Sequence, residues 1–387
     1  MKLNPGLLAL AIGAFGIGVT EFAPTGMLPV IAADLGVSIP AAGLLVSGYA
    51  MGVLIGAPLM TLTTARLDRR TLLIGLMAIF TLGNLLSAVS HGYWMLLAAR
   101  LVTSLNHGAF FGVGSVVAAE LVPPERRAGA LAAMFTGLTV ATIGGVPMAT
   151  WVGETIGWRS AFAGIAGVGG VAMVALRLAV PPLPPSEAGN MRAELRVLAR
   201  KTVLTALVLT VIGASAMFTV FTYIVPILRT ETHASTTFVT AMLMLYGIGL
   251  TIGNMLGGRW ADRSIERTLA GSFAGLVVVL IVFAAAMHWP VTAAVAILLW
   301  GVASFAIVPP LQMRVMDAAA DAPNLASAVN IGAFNLGNAI GAAVGGGVIS
   351  AGLQLPMVSL AGAGMAALAL VLLLALRRRP GAAALAA

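Results

Sequence analysis

TLAGSFAGLVVVLIVFAAAMHWPVTAAVAILLWGVASFAIVPPLQM, residues 268–313, runs for 46 residues without Asp, Glu, Lys or Arg. A helix crossing the hydrocarbon core of a bilayer needs about 20 apolar residues. The run is therefore long enough for two crossings, with His288, Trp289 and Pro290 at the turn between them. Residues 322–376 form a second charge-free run, of 55 residues, broken near Gly352 to Pro356. Working outward, residues 35–65, 71–99, 101–119, 128–153, 160–176, 202–228 and 232–258 each hold one span. Another runs from Gly6 to Ile31, where the only charge is Glu21, and we read it as a first span rather than a removed leader. The sequence thus predicts an all-α integral membrane protein of twelve transmembrane helices.

Composition agrees. The chain has 387 residues, 60% of them hydrophobic and 9% charged, and its mean hydropathy is +1.03. Soluble domains carry about 25% charged residues, so lipid must cover most of the surface. The net charge is +8, but no basic stripe with interleaved aromatics exists that would suit nucleic acid. Cysteine is absent, which excludes disulfides and thiol chemistry. The four histidines, His91, His107, His233 and His288, are too scattered for a metal cluster. No metal and no cofactor are expected. One mid-membrane acid and one histidine do not make a catalytic set, so the chain does not read as an enzyme.

Basic residues collect in cytoplasmic loops. With the N-terminus inside, 18 of the 21 Lys and Arg fall on the cytoplasmic side, and only Arg100, Arg159 and Arg229 do not. Both termini are expected inside, which requires an even number of spans. The polar stretch near Pro181 to Thr202 reads as a cytoplasmic linker, giving halves at 1–180 and 203–387 around a linker at 181–202. The halves repeat. Shifted by 197 positions, Tyr49, Gly52, Ile55, Gly56, Leu59, Arg66, Arg70, Thr71 and Leu72 meet Tyr246, Gly249, Ile252, Gly253, Leu256, Arg263, Arg267, Thr268 and Leu269. Gly137 and Gly145 match Gly337 and Gly345 in spacing. Small residues at such spacing let helix backbones approach in lipid.

The loops carry a resemblance. GGRWADRSIERT (257–268) and TTARLDRRTLL (63–73) resemble the loop signatures after the eighth and second spans of the major facilitator superfamily. LLAARLVTSLNHGAFFGVGS (96–115) is similar to its fourth-span motif, with Arg100 in the arginine position, and GLTVATIGGVPMATWVGETIGWRSAF (137–162) to the fifth-span motif of its antiporters. TEFAPTGMLPVIAADL (20–35) and HGAFFGVG (107–114) resemble the drug and sugar efflux branch, near arabinose-type efflux permeases. Two positions depart: Ala65 stands where the family usually has an aspartate, and Val146 separates Gly145 from Pro147. The resemblance implies two pseudo-symmetric six-helix halves. It implies conformational roles for Arg66, Arg70, Asp262, Arg263, Arg267, Gly145 and Pro147, and a cavity lined by the first, fourth, seventh and tenth helices.

Charged groups inside a span cost about 2.5 kcal/mol or more on insertion scales and are functional candidates by default. Glu21 is the only acid deep within a span. Burial and a nearby cation pull a carboxyl's proton affinity in opposite senses, and a group balanced between them can take up and release protons. Glu21 is the expected proton-coupling residue, with Arg100 as partner and His107, on the same helix face, sharing substrate or proton. Candidate substrate residues are Asn106 and Phe111 in the first half, with Phe218, Thr222, Tyr223, Trp300, Phe305 and Asn335 in the second. The expected function is a proton-coupled antiporter exporting small molecules, drugs or sugars, across a bacterial inner membrane by alternating access. It would work as a monomer whose partners are protons, substrate and the lipid bilayer. Two readings stand beside it: an uncoupled facilitator of sugar or nucleoside movement, and a membrane sensor without transport.

Overall fold

The computed structural model describes residues 4–64, 67–123, 127–183, 196–321 and 323–377, and these form a succession of helices. They are α1 Pro5–Leu35, α2 Ile39–Thr64, α3 Arg69–Ala88, α4 Tyr93–Ser104, α5 His107–Glu120, α6 Arg127–Val140, α7 Val146–Val152 and α8 Trp158–Ala179. Then come α9 Lys201–Phe221, α10 Ile224–Glu231, α11 Thr236–Ala261, α12 Ile265–Ala286, α13 Pro290–Ala306, α14 Val308–Ala318, α15 Pro323–Ser350 and α16 Pro356–Arg377. Among the described residues, eleven helical stretches are long and apolar enough to span a bilayer, and one of them, Ala133–Ala179, holds 47 residues. At 1.5 Å per residue a helix of that length would measure ~70 Å against a ~30 Å hydrocarbon core. It contains two crossings that part at Gly157, whose φ of 125° favours glycine. The total is twelve.

Several ends are set by local chemistry. Asn4 caps α1, its Oδ1 accepting from the Gly6 N–H at 2.9 Å, and Pro5 occupies the first turn, where no N–H is needed. Gly36, at φ 64°, closes α1 with its N–H on Ala32 and Ala33 carbonyls. Asp68 caps α3, accepting from the Thr71 N–H at 3.0 Å. Hydrogen bonds from the Thr71 hydroxyl and backbone hold its carboxyl below the usual carboxylate range.

The fourth span begins at Tyr93, not after Arg100. A charge therefore lies two turns inside a crossing that a charge-free window must exclude. That span and two others are interrupted. The α4–α5 break sits at Leu105 and Asn106, where the Asn106 side chain donates to the Thr103 carbonyl and competes with the helix ladder. The α9–α10 break at Thr222 and Tyr223 lies four residues before Pro226, and the α13–α14 break at Ile307 just before Pro309 and Pro310. Each proline removes an N–H and crowds the carbonyl four residues back. In the fifth span, π-turns at Ala141–Gly145 and Gly153–Gly157 flank α7. The first accommodates Pro147.

The chain divides into two compact units: Met1–Met191 with Thr222–Gly247, and Arg192–Phe221 with Ile248–Ala387. In the first, α1 is buried on nearly all sides. A methyl added at Gly137 would lie 2.9 Å from the Phe15 backbone nitrogen, and one at Gly18 would lie 2.6 Å from Leu138. Gly145 and Gly153 receive the side chains of Phe15 and Met27, so the fifth span approaches α1 closely along its length, backbone to backbone at Gly137. Gly52 and Gly56 of α2 lie against Ser104 and Leu105. In the second unit the same design recurs. Gly249 and Gly253 of α11 lie against Gly301 and Val302, and Gly337 and Gly341 of α15 against Val211 and Ser215 of α9. Gly52, Gly56, Ser104 and Leu105 shifted by 197 are Gly249, Gly253, Gly301 and Val302, so the repeat read from the sequence extends to the contacts its glycines make.

Candidate functional site

The first unit holds a buried polar cluster built from six helices. α1 brings Thr20 and Glu21, α2 Tyr49, α3 Asn84, α4 Arg100, α5 His107 and Phe111, and α8 Phe162 supplies an aromatic wall. Arg100 is fully buried. Its Nη1 donates to the Thr20 carbonyl at 2.7 Å and the Thr20 hydroxyl at 3.1 Å. That hydroxyl donates to Asn84 Oδ1 at 2.7 Å, and Asn84 Nδ2 donates to the Phe80 carbonyl at 2.9 Å. The guanidinium carbon lies 4.2 Å from the centroid of the Tyr49 ring and 5.9 Å from that of Phe162. Among the described residues, Arg100 Nε and Nη2 have no hydrogen-bond partner.

Glu21 is 6% exposed and close enough to feel the charge of Arg100. Among the described residues it makes neither a hydrogen bond nor an ion pair. His107 Nδ1 lies 3.2 Å from the Tyr49 hydroxyl. Its ring stands 5.3 Å from Phe111, which stacks on Phe135 of α6 at 5.4 Å and 7°. Glu21, Arg100 and His107 thus gather around one ring, Tyr49, that sequence reading used only as a member of the repeat, and Phe111 joins them through His107. Asn106 is buried, and its Oδ1 has no hydrogen-bond partner among the described residues.

In the second unit Trp300 stacks on Phe283 at 5.9 Å and meets Phe221 at 6.4 Å, while Phe218 meets Phe221 and Phe334. Phe305 is half-buried, and Asn335 donates to the Ile331 carbonyl while its Oδ1 has no partner among the described residues. Thr222 and Tyr223 pack with the first unit, where a methyl on Gly43 would come 2.9 Å from the Tyr223 ring. Of the loop residues, Asp262, Arg263 and Arg267 are exposed at the α11–α12 turn, and Arg70 donates to the Val180 carbonyl at 3.5 Å. Arg66 lies outside the described residues. Gly145 and Pro147 are buried against α1.

Ion pairs that the sequence did not single out tie helix ends. Glu154, in the second π-turn, has only 4% of its side chain exposed and accepts from Arg229 of α10 at 2.5 Å. Arg229 also donates to the Ala234 carbonyl at 2.7 Å and the Thr236 hydroxyl at 2.8 Å. Asp34 pairs with Arg159 at 2.7 Å, and that guanidinium stacks 4.2 Å from the Trp158 ring. Arg69 pairs with Glu120 in the first unit, and Glu266, 197 positions after Arg69, pairs with Arg314 in the second. Positions 69 and 266 match under the shift and carry opposite charges, while their partners do not match, Glu120 corresponding to Asp317 rather than to Arg314. The signal was present in the sequence: Arg100, Arg159 and Arg229 were the basic residues that broke the charge bias.

Among known proteins, the family model described as Major Facilitator Superfamily matches residues 10–331 and 207–387. The chain is 57% identical over 381 residues to the inner membrane transport protein YdhP of Escherichia coli K12, covering 98% of each. It is 32% identical over 339 residues to the chloramphenicol resistance protein of Streptomyces lividans, covering 87% of this chain and 86% of the other. A solved D-xylose–proton symporter shares the fold at a TM-score of 0.79 with 15% identity, over 95% of this chain and 96% of that one.

Proposed function

This chain belongs to the major facilitator superfamily of transporters, and from that membership we propose that it is a proton-coupled antiporter exporting small molecules across the inner membrane by alternating access. The observation that carries the proposal is an acid and a base left unjoined in one buried cluster. Among the described residues Glu21 makes no hydrogen bond or ion pair, and two N–H groups of Arg100, Nε and Nη2, have no hydrogen-bond partner. An uncharged carboxyl can sit there without a cation. An ionised one is costly unless it takes up those free donors. Loss of the Glu21 proton would therefore draw Arg100 and Glu21 together and pull on α1 and α4. Uptake of a proton would release them. A charge moved through 100 mV of membrane potential yields ~2.3 kcal/mol, enough to drive such a step.

Both termini face the cytoplasm in this reading, because the basic residues crowd that side. The chain's two sequence halves, 1–180 and 203–387, are the moving parts, joined by the linker at 181–202. Asn106 and Phe111 in the first half are assigned to substrate, as are Phe218, Thr222, Tyr223, Trp300, Phe305 and Asn335 in the second. Aromatic faces with sparse hydrogen-bonding groups suit amphipathic ligands. The identity to a chloramphenicol resistance protein makes chloramphenicol the first probe.

The test is Glu21→Gln in proteoliposomes loaded with chloramphenicol. With an imposed pH gradient, the wild type should move the drug against its concentration gradient, and the variant should only equilibrate it. Unchanged gradient-driven accumulation in the variant would remove Glu21 from the coupling step. Transport indifferent to the gradient in the wild type would mark an uncoupled facilitator.

A further inference from the structure

Tyr49 is almost wholly buried on α2 and touches the cluster twice. Its ring face carries the Arg100 guanidinium at 4.2 Å, and its hydroxyl lies 3.2 Å from His107 Nδ1. His107 is the only hydrogen-bond partner of that hydroxyl among the described residues. A buried phenol proton seeks an acceptor, and Nδ1 is the acceptor in reach. A histidine that accepts at Nδ1 carries its proton on Nε2. The Tyr49 hydroxyl thus decides which edge of His107 is a donor.

The ring also bears on Arg100. Attraction between a guanidinium and an aromatic face depends on the cation staying over that face. If Arg100 shifts toward Glu21, its attraction to the ring face draws the Tyr49 ring with it, and the packing around the ring limits this to a slight tilt that carries the hydroxyl along. A hydrogen bond of 3.2 Å is already long, so a small displacement breaks it.

We propose that Tyr49 is the positioning residue of the coupling site. Its face holds Arg100 and its hydroxyl holds His107 in the Nε2–H form, so a move of Arg100 toward Glu21 resets the hydrogen bonding of His107. The proposal rests on the proton-coupling reading above and names the route by which it reaches a second side chain. The titratable or charged groups that face Tyr49 are Glu21 from α1, Arg100 from α4 and His107 from α5; α3 adds only the neutral Asn84 to the same network, and α8 only Phe162. The second half supplies a control. Shifted by 197, Tyr49, Arg100 and His107 become Tyr246, Ile297 and Ser304, a tyrosine with neither cation nor imidazole at the matching positions.

The experiment uses full-length protein with ¹⁵N-labelled histidine in nanodiscs, the His107 signals being assigned with His107→Asn. The wild type should show an unprotonated, hydrogen-bonded Nδ1 and a protonated Nε2. The Nδ1 signal should show a step with pH that Glu21→Gln abolishes. In Tyr49→Phe, which keeps the ring, that step should vanish although the Glu21 carboxyl still titrates by its infrared band. Tyr246→Phe should leave the step in place. The proposal is overturned if the wild type shows Nδ1–H or no step, or if the step survives in Tyr49→Phe. Should Tyr49→Phe unfold, as thermal melting would reveal, Tyr49→Leu also removes the hydroxyl without adding a donor, and is read in the same way. The outcome is separable from the coupling reading itself: gradient-driven chloramphenicol transport unaffected by Glu21→Gln sinks the latter, whatever the histidine signals do.

Discussion

Replacing Glu154 with glutamine loosens the attachment of α10 to the end of the fifth span. The Glu154 side chain is nearly closed off from solvent, while that of its partner Arg229 is 33% exposed. A hydrogen bond to a charged group contributes ~1.5–3 kcal/mol and a neutral one ~0.5–1.5 kcal/mol. The difference, discounted for the exposed guanidinium, is about 1 kcal/mol, or roughly fivefold in the equilibrium between joined and parted forms. Arg229→Ala should do more. It leaves a buried carboxylate alone, at a cost near the lower end of the ~3–5 kcal/mol for breaking a buried pair, on the order of a hundredfold. The chain contains no cysteine, so Val225→Cys gives a single reporter, fully buried on α10 in the joined form. Its rate of labelling by an impermeant maleimide added to intact cells should rise about fivefold with Glu154→Gln and much further with Arg229→Ala. Asp34→Asn, at the exposed pair with Arg159, should leave it within about twofold. Equal rates in the wild-type and Arg229→Ala backgrounds would refute the idea that this pair holds α10 in place.

Two stability measurements follow from the packing and the caps. Gly137→Ala forces a methyl onto the α1 backbone and should cost ~1–3 kcal/mol, whereas Gly167→Ala in α8 meets nothing within 4 Å and should be neutral or gain up to ~1 kcal/mol. Thermal unfolding in detergent orders the two, and a Gly137→Ala protein as stable as the wild type would contradict the backbone contact. Asp68→Ala removes the α3 cap at about 1 kcal/mol. Because the folded protein holds the Asp68 carboxyl below its ordinary range, this contribution is present above the unfolded value and is lost as pH falls through the lower folded one. The wild type and Asp68→Ala should therefore differ in melting temperature at neutral pH and converge in strong acid.

The spans were legible because lipid leaves the backbone few choices and charge-free length is easy to read. The turns at His288 to Pro290 and Gly352 to Pro356 fall where α12 gives way to α13 and α15 to α16. Treating charges as boundaries misplaced the start of the fourth span, because Arg100 is a charge that the interior accommodates with Thr20 and Tyr49. The cluster around Glu21 was half visible. Ionisable side chains announce themselves in an apolar sequence, but a tyrosine on another helix does not, and Tyr49 looked like any residue of the repeat. Glu154 and Arg229 are 75 positions apart, and no local pattern links them. Only the breach of the charge bias by Arg229 marked it as a residue in need of a partner.

The two π-turns of the fifth span make its length meaningful residue by residue. A turn of this kind amounts to one amino acid more than an ordinary helical turn would use. Deleting a single residue within 141–145 would remove the surplus and leave the flanking helix nearly in phase, whereas deleting one within the regular turns of α7, where no surplus exists, would rotate everything beyond it by ~100°. Glu154 would then swing away from Arg229, and Gly153 away from Met27, while the apolar character of the span stayed the same. Insertions and deletions that hydropathy would judge silent should be poorly tolerated in α7, and substitutions that preserve the count should fare better.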